Sequence, residues 1–259
     1  MIESLQGRLI FGRTTRIRPL QSGPHAGTYR TTGHRLRRPD GAVLEGWSAT
    51  PIDGPPEGAL LYFGGRNENV AWAADMASFN PGWAIHAFNY RGFGASSGRA
   101  SERRVKADAR AIHDAIAARA SMANLALVGR SLGTAIALAL ARDVRDARPA
   151  RLVLMSPFDS VADVVRTRPL GRVVAGLMTQ RFACADLAAA HIGETLVLLA
   201  EHDASIPHDR SRALCARLPR APIVRVVSGT THQSLPRSAG VQAEIARFLA
   251  SNASQDVAR

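Results

Sequence analysis

The chain has 259 residues, of which 46% are hydrophobic, 21% charged and 5% aromatic, and 33 Lys+Arg against 21 Asp+Glu give a formal charge of +12. That length suits one large α/β domain, and so high an apolar fraction excludes global disorder. No run of ~18 apolar residues occurs, which excludes a transmembrane helix. The two cysteines, Cys184 and Cys215, lack ligand spacing, which argues against a disulfide scaffold or zinc module and fits a reducing cytoplasm.

In chain order, residues 1–33 are rich in Gly, Pro, Thr and Arg and read as an N-terminal arm without the apolar segment of a secretory signal. His34–Arg38 and Val43–Ala49 flank Pro39-Asp40-Gly41, the signature of a hairpin turn. Thr50–Glu57, with three prolines, is a loop. Ala59–Phe63 is a short apolar run ending at Gly64-Gly65, as a buried parallel strand would. Val70–Ser78 reads as helical and Pro81-Gly82 breaks it. Ala84–Asn89 is a strand leading into the glycine-rich loop Arg91–Gly98, and Ser101–Ala120 a long helix with Val105, Ile112 and Ile116 on one side. Leu125–Val128 is a strand, Leu132–Arg142 a helix and Arg151–Met155 a strand. Thr195–Ala200 and Ile223–Val227 are the last strands, and Val241–Ala250 the last helix. Such alternation predicts a mostly parallel, doubly wound sheet with an N-terminal antiparallel hairpin, its strands buried on both faces. Residues 34–252 form one domain. Within it, residues 157–194 are too long for a tight connection; Val161–Arg166 and Val173–Met178, split by Pro169-Leu170-Gly171, suit a short lid insert.

The positive charge invites a nucleic-acid or anionic-membrane reading. Lys106 is the only lysine, however, and the arginines are scattered, with short clusters at Arg35, Arg37 and Arg38 and at Arg99, Arg103 and Arg104. Solvated charged faces are the simpler expectation, and no nucleic-acid partner is expected.

The sharpest motif is Gly129-Arg130-Ser131-Leu132-Gly133, set between a strand and a helix. A strained turn there lifts the Ser131 Oγ above the sheet, its glycines avoid collision, and the helix N-terminus favours negative charge beside it. A serine nucleophile needs a base, and the base an orienting carboxylate, in the chain order Ser, acid, His. Asp203 follows Thr195–Ala200 and His232 follows Ile223–Val227, at intervals of 72 and 29 residues. Of the eight histidines, only His232 lies between the last strand and the last helix. His202 and His208 flank Asp203 as loop or rim residues. Asp159, after Arg151–Met155, is the rival acid, and Glu201 a weaker one. Backbone N–H groups of Leu132 and Arg66 are the candidate oxyanion donors, the second from the loop Gly64-Gly65-Arg66-Asn67-Glu68-Asn69.

Together these motifs resemble the α/β-hydrolase superfamily. The nearest branch contains small, short-lidded serine hydrolases with a Tyr-Phe-Gly-Gly-Asn-Ala-Glu-like oxyanion loop and an Asn/Asp-Tyr-Arg-Gly-Tyr/Phe-Gly loop. Here Tyr62-Phe63-Gly64-Gly65-Arg66-Asn67-Glu68 and Asn89-Tyr90-Arg91-Gly92-Phe93-Gly94 match. The likeness continues through Ser156-Pro157-Phe158, Asp203 and His232, and spans roughly Thr31 to Ala250. Gly64 stands where many relatives have histidine, and Arg66 replaces the usual asparagine. The arm lacks the membrane-anchor or lipoprotein segment of many relatives, so a soluble cytoplasmic protein is expected. The resemblance implies ester or thioester substrates; the short, moderately apolar lid suits small or medium acyl groups, and the serine chemistry needs no metal or organic cofactor. Amidase or peptidase activity is the enzymatic alternative, and a non-catalytic binding protein on the same fold is the other. Arg66 or Arg91 near the pocket would favour an anionic substrate. Oligomeric state is not legible.

Overall fold

The computed structural model describes residues 6–7, 10–12, 23–25, 28–119, 124–144, 151–167 and 171–251. Gly41, at φ +81°, completes the turn after Pro39-Asp40 and joins β2 (Tyr29–Arg37) to β3 (Val43–Pro51). These strands pair antiparallel from Arg37 opposite Val43 to Tyr29 opposite Pro51. β2 therefore begins inside the segment that reads as an arm, with buried Tyr29 and Thr31 alternating with exposed Arg30 and Thr32. That two-residue period is short and mostly polar, so composition masks it. β1 (Gly23–His25) pairs antiparallel with β2 at the sheet edge.

The other strands are β4 (Gly58–Phe63), β5 (Trp83–Phe88), β6 (Leu125–Arg130), β7 (Arg151–Met155), β8 (Thr195–His202) and β9 (Ile223–Thr231). They complete one nine-stranded sheet in the order β1-β2-β3-β5-β4-β6-β7-β8-β9, parallel from β5 to β9. One face carries α1 (Glu102–Ala117), α2 (Gly133–Asp143), α5 (Cys184–Ala188) and α6 (His208–Cys215). The 3-10 helix Val70–Ser78 and α7 (Ala239–Ala250) cover the other. β4 and β6 are buried along their whole length, as their apolar runs require. β9 departs from that expectation: Ile223, Val224 and Val226 are 44%, 41% and 54% exposed. It is the edge strand, and Arg225 between two exposed valines is the kind of charge that blunts such an edge. The chain visits β5 and β6 on opposite sides of β4, which opens a crevice beyond the carboxyl ends of these strands.

Between β7 and β8 the insert carries α3 (Val161–Arg166) and α4 (Gly171–Gly176) before α5. α3 has the expected bounds. α4 starts two residues before Val173 and ends before Met178, and Pro169 and Leu170 of the expected break lie outside the described residues. α6 has no counterpart in the expected elements because His-Asp-Arg-Ser-Arg-Ala-Leu-Cys lacks an apolar repeat.

Phe11, in the expected arm, is buried in the core and meets Tyr90, Phe93 and Phe182 edge to face at 6.0, 6.4 and 5.8 Å. Its carbonyl accepts the Asn67 N–H at 3.1 Å, which ties this stretch to the loop after β4. Phe11→Ala should destabilise the fold by about 3–5 kcal/mol, read by urea unfolding. An unchanged midpoint would mean that the aromatic cluster does not depend on it.

Candidate active site

The site grows from the turn between β6 and α2. Ser131 sits there at φ +49°, a left-handed conformation that a serine adopts only where packing enforces it. A Cβ on Gly129 would lie 2.6 Å from the Gly133 carbonyl, and one on Gly133 would lie 2.0 Å from the Phe63 carbonyl. Strand, turn and helix thus close on one another only because both flanking residues lack side chains. The Ser131 N–H donates to the Met155 carbonyl at 2.8 Å, which fixes the turn against β7. Leu132 precedes α2 with no side-chain cap, so the start of the helix lies beside Ser131, with the Thr134 and Ala135 N–H groups donating back to the Ser131 and Leu132 carbonyls.

At the ends of β8 and β9 stand Asp203 and His232. His232 Nδ1 donates to Asp203 Oδ2 at 2.9 Å, with the carboxylate side chain 1% exposed. The other oxygen accepts the Ser205 and Ile206 N–H groups at 2.9 and 2.8 Å. Burial pushes the Asp203 carboxyl up, but the His232 hydrogen bond, the nearby Ser156 hydroxyl and the Ile206 N–H outweigh it and hold it at about 2. Asp159 is engaged elsewhere: Arg210 Nη1 donates to its Oδ2 at 2.9 Å, and its own Ser160 N–H donates to Oδ1. Burial raises the Asp159 carboxyl, the opposite direction. Glu201 accepts the Gly229 N–H, and His208 contacts the Ala200 carbonyl. His202 is 69% exposed, a rim residue.

The depressed Asp203 sets a pH signature with a definite sign. Its stabilisation is fully present above the unfolded value near 3.9 and is lost as pH falls towards about 2. It amounts to about 2 kcal/mol. The stability gap between wild type and Asp203→Asn should therefore narrow between pH 4.5 and 2.5 in urea titrations. A gap that stays constant with pH would contradict the shift.

Two cavities meet at Ser131. One, of about 490 Å³, runs beneath the insert and is walled by Val161, Val165, Val174, Leu177, Met178 and Phe158, with Gln6 and Ile10 from the N-terminal segment. The other, of about 660 Å³, is polar and carries Glu68, Trp72, Arg130, His232, Gln233 and Arg237. Arg66, Ser131, Val164 and Ile206 border both. The expected donors Arg66 and Leu132 line the first cavity together with Ser131. Arg91 does not. Its guanidinium is buried on Asp108 and also pairs with Asp40, and these carboxylates hold it firmly protonated. A buried guanidinium needs such partners, so Arg91 braces the hairpin against α1 and is removed from any pocket role.

Several contributors carried no assigned role in the sequence. Arg130 Nη1 pairs with Glu68 Oε2 at 2.7 Å, and its Nη2 donates to the His232 carbonyl at 2.8 Å. Glu68 also accepts from Gly65 N–H, Tyr62 Oη and Trp72 Nε1 at 2.6, 2.8 and 3.0 Å. The buried Glu68–Arg130 pair thereby joins the β4 loop, the serine turn and the histidine loop. Tyr90 Oη adds a bond to the Gly64 carbonyl at 2.9 Å. Arg237 lies over the Trp72 ring at 5.1 Å, at the rim of the polar cavity. Sequence separation hides the first pair, 62 residues apart. Among the described residues no His, Cys, Asp or Glu cluster could hold a metal.

Comparison with known proteins agrees with this architecture. The chain is 30% identical over 197 residues to a Mycobacterium tuberculosis protein described as uncharacterized, covering 74% of this chain and 69% of that one. It is 38% identical over 90 residues to the lysophosphatidylserine lipase ABHD12 of Gallus gallus, covering 34% of this chain and 24% of that lipase. Among solved structures, an acetyl xylan esterase from Paenibacillus sp. R4 superposes with a TM-score of 0.70 at 20% identity, over 90% of this chain and 86% of that one, a likeness of fold. A family model described as serine aminopeptidase, S33, matches residues 54–191, from the loop before β4 through the insert. With more than half its length inside that model, the chain belongs to the serine aminopeptidase S33 family of α/β hydrolases.

Proposed function

We propose that the protein hydrolyses carboxylic esters through an acyl-enzyme on Ser131. The observation that carries the reading is the 2.9 Å bond from His232 Nδ1 to a buried Asp203, with His232 and Ser131 walling one cavity. In this reading His232 Nε2 removes the Ser131 proton as Oγ bonds to the substrate carbonyl carbon. Asp203 fixes the tautomer and stabilises the imidazolium. The carbonyl electrons move onto oxygen, facing the N–H groups of Leu132 and Arg66. Collapse expels the alcohol with the proton from His232. Water, deprotonated by the same histidine, then releases the acid and regenerates Ser131. No step calls on a metal or an organic cofactor.

The two cavities divide the substrate. The apolar walls beneath the insert suit a medium-length acyl chain, and the polar side suits the leaving group. Arg66 and Arg237 favour an acidic leaving group over a neutral one. A thioester fits the same chemistry. The family name and the lipase relative support hydrolysis, whereas peptide bonds are the second reading, favoured by the family description alone.

Labelling with a fluorophosphonate probe tests the proposal. Wild type should label, and Ser131→Ala and His232→Ala should not. Asp203→Asn should slow ester turnover by about 10³-fold or more, as loss of the tautomer-fixing acid does in such triads, whereas Asp159→Asn should leave it near wild type. Labelling of Ser131→Ala would remove the nucleophile assignment, and no labelling of folded wild type would favour a binding protein.

A further inference from the structure

The insert carries a group of exposed large apolar side chains. Val173, Val174 and Leu177 are 67%, 47% and 72% exposed, side by side at the end of α4. Ordinary surfaces scatter such residues singly. Val174 and Leu177 also wall the apolar cavity, so this outer patch is continuous with the passage to Ser131. Along the insert the sequence is rich in arginine. Between Asp163 and Asp186 the sequence holds Arg166, Arg168, Arg172 and Arg181 and no carboxylate. Arg166, Arg172 and Arg181 are exposed, and Asp163 pairs with Arg166. Gln6 bonds the Leu177 carbonyl and the Thr179 N–H at 2.8 and 2.9 Å, which holds the N-terminal segment against the same face.

We propose that this face docks on an anionic lipid surface. Val173 and Leu177 enter the headgroup–acyl boundary, and the exposed guanidinium groups of Arg166, Arg172 and Arg181 meet the lipid phosphates. The apolar centre distinguishes this surface from a nucleic-acid site, which a phosphate backbone would cover with charge alone. A second copy of the chain is disfavoured by charge, since each carries +12. Once docked, an apolar acyl chain leaving the bilayer passes from Leu177 and Val174 into the cavity without crossing polar surface. Only this delivery step rests on the proposed reaction; the docking does not.

Cosedimentation with vesicles tests it. Wild type and Ser131→Ala should both bind phosphatidylcholine vesicles containing about a third phosphatidylserine at least roughly tenfold more tightly than phosphatidylcholine alone, and less so in high salt. The Arg172→Gln/Val173→Asp variant, whose two positions wall neither cavity, should lose roughly tenfold in that binding. It should keep its melting temperature and its turnover of a soluble short-chain ester. Arg220→Gln/Arg225→Gln, beside and on the edge strand, should bind as wild type. The proposal falls if wild type shows no preference for anionic vesicles, or if the insert variant binds undiminished. It also falls if the edge-strand control loses as much, or if light scattering finds a dimer that Val173→Asp dissociates. If no ester is turned over while vesicle binding behaves as stated, the reaction is wrong and the docking stands.

Discussion

Replacing Ser131 by alanine should lower kcat/KM for a short-chain ester by about 10³-fold or more, with the fold intact. Replacing it by glycine should abolish turnover equally but give a more stable protein than the alanine variant, by roughly 1 kcal/mol. The reason is the backbone. At φ +49° a Cβ is strained whatever side chain follows it, and that strain is removed only by glycine. Glycine's greater freedom in the unfolded chain opposes the gain, so the net is smaller than the full left-handed penalty. Urea unfolding of the two variants measures the difference directly. An alanine variant as stable as the glycine one would show that the turn stores no strain. The comparison separates chemistry from architecture: both variants lack Oγ, and only one lacks Cβ.

The turn that holds Ser131 was the most legible part of the molecule. Gly-x-Ser-x-Gly between an apolar strand and an alanine-rich helix states its own geometry, because only glycine fits against the carbonyls of Gly133 and Phe63. The parallel core was legible for a related reason. Strands buried on both faces are continuous apolar runs, and β4, β6, β7 and β8 read that way. Where burial is one-sided or incomplete the pattern fails. β9 has the composition of a core strand, Ile-Val-Arg-Val-Val, yet it lies at the edge, since no local signal says how many neighbours a strand will have. The start of β2 carries its alternation in Tyr, Arg and Thr, and α6 carries none. Placement of Asp203 and His232 after consecutive strands was legible from order alone, and their 2.9 Å contact is what parallel neighbours β8 and β9 produce at their carboxyl ends. The role of Arg91 was not legible, because its partners Asp40 and Asp108 are 51 and 17 residues away and become neighbours only when the hairpin folds over α1.

The same blindness hid the pair that joins the site together, and its removal should have a large effect on stability. Arg130 and Glu68 are 10% and 8% exposed at their side chains. Burial opposes ionisation of both, but each charge favours the other, so the carboxyl stays low and the guanidinium high. Arg130→Met leaves Glu68 buried without its cation and should cost about 3–5 kcal/mol by urea unfolding. Adding Glu68→Gln should restore much of that loss, because the second charge is then gone and Gln can still meet Gly65, Tyr62 and Trp72 with some of its hydrogen-bonding capacity. Turnover should not return with it. Arg130 Nη2 is the donor to the His232 carbonyl at 2.8 Å, and methionine cannot replace it. With the histidine loop released from the serine turn, a misplacement of ~1 Å is enough to reduce kcat by about 10²-fold. Stability recovering without rate in the double variant is therefore the expected signature of a positioning device. Recovery of both would make the pair a packing feature alone, and recovery of neither would mean that Tyr62, Trp72 and Gly65 depend on the carboxylate itself.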